Sequence, residues 1–189
     1  MLQVEEAIKC LLEEDIVAFP TDTVYGVAAV ASSMKAIEKI YEIKERDRVK
    51  PLIAMVPEGF NIGELVEIPQ NFKSEVESLI QRYWPGELTL IFKMKKNPYI
   101  VVEYETLGIR IPNHAIALEI INGVGRPIFV TSANRSGEPA GITADEVERS
   151  IGDNLGVLCI GECGSGVAST IVSYIQDEKK IIREGNIKV

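Results

Sequence analysis

The stretch from Ile16 to Leu52, IVAFPTDTVYGVAAVASSMKAIEKIYEIKERDRVKPL, sets the folding problem for the whole chain. Ile16–Phe19 reads as a buried strand, stopped by Pro20 and a Thr21-Asp22-Thr23 turn. Val24–Val30 is a second apolar run, with Gly26 where backbone or ligand comes close. The spacing then predicts a helix over Met34–Arg46, because Ile37, Ile40 and Tyr41 recur at i, i+3 and i+4. The next position on that stripe is Lys44. A lysine there either snorkels at the helix end, where a cation suits the dipole, or is aimed into a cavity. Arg46, Arg48 and Lys50 follow at once, in a chain of formal charge −8. A basic knot beside a hydroxyl-rich turn suggests a site for something anionic.

Upstream, Glu5–Glu14 reads as a short acidic helix with Ala7, Leu11 and Leu12 inward, and not as a signal peptide. Downstream, Leu52–Val56 is a predicted strand, and Ile62–Ile68 carries no clear pattern. Phe72–Tyr83 is helical, with Phe72, Val76, Leu79 and Ile80 on one face and Trp84-Pro85-Gly86 as its stop. Leu88–Met94, Ile100–Val102 and Leu107–Ile111 follow as strands, Asn113 caps a helix through Ile121, and Pro127–Thr131 is a strand. Thr143-x-x-Glu146 is a capping box for a helix through Ile151. Leu155–Ile160, Thr170–Ile175 and Lys180–Arg183 close the chain as strands. With no repeat and no linker, the expectation is one domain over residues 1–189, a mixed rather than purely parallel α/β sheet. The longest apolar runs are strand-length, so no membrane span is expected. An excess of 28 acidic over 20 basic residues disfavours bulk attraction to nucleic acid or anionic membrane.

Several chemistries are excluded by what is missing. There is no GxxxxGK[ST] phosphate loop and no Gly-x-Ser-x-Gly elbow, and GECGSG lacks dinucleotide-fingerprint spacing. His114 is the single histidine and falls at a helix start, so hydrolysis by an imidazole-activated serine or cysteine is disfavoured. Cys10, Cys159 and Cys163 with one histidine make no zinc site, and read as buried thiols of a cytoplasmic protein. Thr131-Ser132-Ala133-Asn134-Arg135-Ser136-Gly137 directly follows a buried strand. Small hydroxyl and amide groups there suit phosphate or carboxylate, although the same composition also makes an ordinary polar turn. Gly161–Thr170 is a second glycine-rich loop, by itself best read as a flexible surface loop. Arg110 lies between Ile109 and Ile111, on the opposite face of its strand. If both sheet faces are covered it needs an anionic partner; if one is wet it needs none.

Taken together, FPTDTVYGV, IYEIKERDRVKPL, WPGELTLIF, LGIRIPNHAIA, PIFVTSANRSGEPA, AST and IIREG resemble the YrdC-type threonylcarbamoyl-AMP synthase family, in its order and over nearly the whole chain. The KxR…SxN signature of that family stands here as Lys44-Glu45-Arg46 and Ser132-Ala133-Asn134. The resemblance implies a twisted mixed α/β sheet with flanking helices around a large, positively lined cavity. It implies a nucleotidyltransferase that condenses L-threonine, bicarbonate or CO₂, and ATP to threonylcarbamoyl-AMP and pyrophosphate. Downstream proteins would transfer the threonylcarbamoyl group to adenosine 37 of tRNA, with weak direct tRNA contact as a further expectation and no membrane partner.

By the same resemblance, Thr23, Arg110 and Ser169 would hold threonine. Arg46, Lys50, Ser132 and Arg183 would hold ATP, joined by Thr106 and the backbone near Ala140. Lys44, Arg46, Ser132 and Asn134 would form the reacting centre. Magnesium is expected with the nucleotide rather than on protein ligands. Met55 stands where the family often has a histidine that contacts threonine, and a thioether can only pack there. The chain resembles the short form of the family, without an added C-terminal domain. The rival from another class is a non-catalytic RNA-binding or ribosome-associated module using the same basic concavity, which net charge and scarce aromatics count against.

Overall fold

A computed structural model describes residues 2–189. The helices are α1 (Leu2–Leu12), α2 (Met34–Ile43), α3 (Lys73–Tyr83), α4 (Ala115–Val124) and α5 (Ala144–Ile151). The strands are β1 (Val17–Phe19), β2 (Gly26–Val30), β3 (Ile53–Met55), β4 (Val66–Glu67), β5 (Leu88–Met94), β6 (Thr106–Arg110), β7 (Ile128–Ser132), β8 (Val157–Leu158), β9 (Thr170–Ile175) and β10 (Glu178–Arg183). They form one sheet in the order β10-β9-β5-β6-β3-β7-β2-β1-β8, with β4 added beside β5. β3/β6, β5/β9 and β1/β8 are parallel and the remaining pairs antiparallel, so the sheet is mixed as expected.

Strand alternation divides the core in two. In β2, Val27 and Ala29 join one cluster while Ala28 and Val30 join the other. The second cluster takes Val4, Ala7 and Leu11 of α1 and Ala117, Ile120 and Ile121 of α4; the first takes Ile37, Ile40 and Tyr41 of α2, Val76 of α3 and Val147 of α5. α1 and α4 thus cover the second face over β1, β2 and β7, whereas the Gly108 and Arg110 side of β6 lines a cavity; Arg110 is nonetheless buried and has Asp22 as its anionic partner. Gly26 is a true close approach: a Cβ there would lie 2.7 Å from Val130 Cγ1. Among the described residues no helix is long and apolar enough to cross a membrane.

Several boundaries differ from the sequence reading. α2 stops at Ile43 rather than Arg46. Glu45 takes φ +48°, the Arg46 amide donates to Tyr41 O, and the Glu45 amide donates to Glu42 O, a left-handed helix stop without glycine. Ile100–Val102 forms no strand, because Asn97 Oδ1 accepts from the amides of both Tyr99 and Ile100 and curls the connection. α4 is capped by His114, not Asn113, and runs on to Val124, where Gly125 at φ +70° ends it. Leu12 faces solvent at 45 % exposure, one position off the Val4–Ala7–Leu11 stripe. Ile62–Ile68 resolves into a short 3-10 turn and β4, whereas the Thr143–Glu146 capping box is fully formed.

Candidate active site

A cavity of about 320 Å³ opens on the sheet face beside α4. Its floor is the inner side of β3, β6 and β7, from Ile53, Gly108 and Val130. The Thr21–Tyr25 turn, the Arg46–Leu52 segment and the Ala168–Ser169 loop form its walls. Arg46, Arg110 and Arg183 line it, and no carboxylate does among the described lining residues. Seven of the expected residues meet here: Thr23, Arg46, Thr106, Arg110, Ser132, Ser169 and Arg183.

Each arginine is held by protein acceptors on part of its fork. Arg110, 4 % exposed, donates from Nε to Gly86 O (3.0 Å), from Nη1 to Thr23 Oγ1 (3.1 Å) and from Nη2 to Asp22 Oδ1. Of its five N–H groups, two remain. Burial lowers the pKa of this guanidinium, with Asp22 opposing the shift. Arg183 donates from Nε to Ser169 O (2.8 Å) and from Nη2 to Ser169 Oγ (3.1 Å), and burial lowers it too. Arg46 donates from Nε to Lys50 O (3.3 Å) and from Nη2 to Pro51 O (3.1 Å). Three fixed guanidinium groups with free terminal N–H are preorganised for carboxylate or phosphate oxygens.

The hydroxyls are equally ordered. Thr21 Oγ1 donates to Val24 O (2.7 Å) and accepts from the Thr23 amide (3.1 Å). With its single proton so used, Thr21 must accept from the Thr23 hydroxyl, 3.0 Å away. Thr23 Oγ1 thus offers only lone pairs, one to Arg110 and one to a ligand. Ser169 Oγ is 2.8 Å from Thr89 Oγ1 on β5. The glycine-rich loop is strapped over the turn, the amides of Gly164, Ser165 and Gly166 donating to the carbonyls of Thr21, Asp22 and Thr23 (3.0, 3.0 and 2.9 Å). Tyr25 Oη grips its start, donating to Gly161 O and accepting from Gly161 N (2.8 and 3.0 Å).

Four expected residues lie elsewhere. Lys44 is 1 % exposed and does not line the cavity; its Nζ donates to the carbonyls of Ser132 and Asn134. Burial, then the neighbouring Arg46, lowers its pKa to about 8. Asn134 and Ala140 border a second concavity of about 560 Å³, lined also by Arg135, Glu138 and Arg149. Asn134 Nδ2 donates to Arg135 O and Glu138 O (2.9 and 2.8 Å), while its buried Oδ1 has no partner. Lys50 is exposed. Met55 packs in the α1/α4 cluster and shows its edge to the cavity. Sequence reasoning missed Asp22 and Thr89. Thr89 could have been found, because it is a polar residue inside the apolar alternation of LTLIF.

The fold and the cavity define a mixed α/β domain with an arginine- and hydroxyl-lined cavity, and no cysteine, histidine or carboxylate among the described lining residues. A family model described as "Telomere recombination" (Sua5_yciO_yrdC) matches residues 9–185. The threonylcarbamoyl-AMP synthase of Bacillus subtilis is 37% identical over 98% of this chain and 54% of its own length. The threonylcarbamoyl-AMP synthase of Vibrio campbellii is 28% identical over 98% of this chain and 100% of its own. The solved structure of Pyrococcus abyssi Sua5 complexed with L-threonine superposes with a TM-score of 0.87 at 34% identity, covering 97% of this chain and 54% of that one. The chain thus spans about half the length of the Bacillus and Pyrococcus relatives it matches. It belongs to the Sua5/YciO/YrdC family.

Proposed function

We propose that this chain makes L-threonylcarbamoyl-AMP from threonine, bicarbonate and ATP. The observation that carries the reading is the three-arginine, hydroxyl-lined cavity with no carboxylate at its lining. The two free N–H groups of Arg110 match a substrate carboxylate, and the lone pair of Thr23 next to them can accept from the threonine hydroxyl or amine. Relatives named threonylcarbamoyl-AMP synthase and the threonine complex of Pyrococcus abyssi Sua5 support the assignment.

The chemistry asks for no protein nucleophile. The threonine amine and bicarbonate give a carbamate and water. A carbamate oxygen then attacks the α-phosphorus of ATP, the bond to the bridging β-phosphate oxygen breaks, and pyrophosphate leaves. The protein's part is to hold the reactants in line and to stabilise charge on the leaving group. Arg46 and Arg183 supply that charge; Ser132 lines the cavity at the end of β7, two residues before Asn134 of the concavity that holds Ala140, where the nucleoside would extend. Thr106 of the lining would be a further nucleotide contact, and Lys50, exposed outside the lining, would have to swing in to be one. Lys44 acts through its grip on the Ser132 and Asn134 carbonyls, as a positioning residue for the signature segment. Among the described residues no cluster of acidic, histidine or cysteine side chains could hold a metal; magnesium would ride on the oxygens of the triphosphate. The activated product would pass to a tRNA-modifying transferase. No structural observation favours the RNA-binding reading.

The test is pyrophosphate release with each of threonine, bicarbonate and ATP omitted in turn. Release only when all three are present is expected. Equal ATP turnover without threonine would refute the reading.

A further inference from the structure

Arg46 is a half-buried arginine of the cavity wall, and its side chain is steadied by a chain of bonds that starts in the core. The Tyr104 ring packs on Phe129 of β7, centroids 5.8 Å apart. Tyr104 Oη is 2.8 Å from Tyr41 Oη, and Tyr41 Oη donates to Lys50 O at 3.1 Å. The same Lys50 carbonyl accepts from Arg46 Nε. Tyr41 also accepts the Arg46 backbone amide on its own carbonyl at 2.9 Å. Tyr41 thus fixes both ends of Arg46, while Pro51 O takes Nη2. The Nε edge of the guanidinium is fully engaged, and three of its five N–H groups are left at the tip.

Resting on the proposed reaction, we infer that Tyr41 and Tyr104 are positioning residues for the nucleotide: through Lys50 O they aim the tip of Arg46 at the triphosphate. Neither tyrosine lines the cavity, so neither touches substrate. Burial and the Tyr41 bond raise the pKa of Tyr104, which keeps it a neutral phenol. What the two tyrosines control is the freedom of Arg46. A guanidinium tethered only by its own loop samples many rotamers, and binding must then order it.

The experiment compares Tyr41→Phe, Tyr104→Phe, the double variant, Arg46→Gln and the triple combination. Phenylalanine keeps the ring packing, and a urea midpoint close to wild type is expected for both single variants. In pyrophosphate release, the double tyrosine variant should raise KM for ATP about 10-fold, equivalent to about 1.4 kcal/mol. KM for threonine should stay within about twofold, since the threonine residues hang on other elements. Once Arg46 is glutamine, removing the two hydroxyls should add nothing. That non-additivity is the signature of action through Arg46, which a general loosening of the fold would not produce. Equal rises in both KM values, effects that multiply with Arg46→Gln, or an unchanged KM for ATP would each overturn the inference. Calorimetric ATP binding separates this from the reaction itself. A wild type that binds ATP but releases no pyrophosphate ends the proposed reaction, and the same comparison of Kd values then decides the relay.

Discussion

Lys44→Met is the substitution whose outcome the structure fixes most tightly. The ammonium is buried against two backbone carbonyls, those of Ser132 and Asn134, and among the described residues no carboxylate lies within 4 Å of it. Its pKa falls from 10.5 to about 8, chiefly by burial. That gap corresponds to about 3 kcal/mol held against the charged form in the folded state. Between pH 8 and 10.5 the unfolded chain binds a proton that the folded chain does not, so stability rises with pH across this window. Below pH 8 both states are charged and the full penalty stands. Methionine removes the penalty but strands Asn134 O, costing about 1–3 kcal/mol, and leaves Ser132 O with the Asn134 amide alone (3.0 Å). At pH 7 the two effects largely offset, leaving the variant within about 2 kcal/mol of the wild type. At pH 10 the wild type has shed most of its penalty, and the variant should trail by about 2–3 kcal/mol more. Urea denaturation of both proteins at pH 7, 8, 9 and 10 measures this, the difference between the curves cancelling other groups. Parallel curves would refute the buried, depressed lysine. Adenylate formation at pH 7 should fall by about 100-fold, because Ser132 loses its anchor by a fraction of an ångström or more.

Two further substitutions probe the threonine side of the cavity. Arg110→Met should destabilise the protein by about 3–5 kcal/mol in chemical denaturation, since Asp22 is left buried without its counter-ion; adding Asp22→Asn should recover most of that stability without restoring threonine turnover, and a double variant as unstable as the single would contradict the pairing. Gly164→Ala places a methyl 2.2 Å from the Asp22 carbonyl oxygen, so the strap of three amide bonds must lift; KM for threonine should rise about 10-fold with KM for ATP nearly constant, and an unchanged KM would show that the strap does not shape the site.

What the sequence could and could not show follows from which groups have letters. Period-two alternation placed Leu88–Met94 and Thr170–Ile175 to the residue, because both strands are buried against fixed partners. The end of α2 was not legible, since the left-handed residue that stops it is Glu45 and no glycine announces the turn. That stop matters: it swings Arg46 out of the helix line and back over the cavity, where a continuous helix would have carried it past. Arg110 was recognisably in need of an anion if both sheet faces were covered. Which anion was not readable, because Asp22 lies 88 residues away and sits in a turn that composition alone explains.

Lys44 shows the limit most sharply. A cation on an apolar stripe invites a search for carboxylates or for a bound anion, and its partners are neither. They are carbonyl oxygens where β7 ends and the signature loop begins, Ser132 O also accepting the Asn134 amide. Backbone acceptors carry no residue identity, so no pattern of side chains could reveal them. The same holds for Lys50 O, which receives both Tyr41 and Arg46. Lys44, Arg46 and Asn134 of the KxR…SxN signature are therefore placed by main-chain oxygens. A lysine that binds these carbonyls can be exchanged for no apolar residue without stranding one of them, even where it touches no substrate.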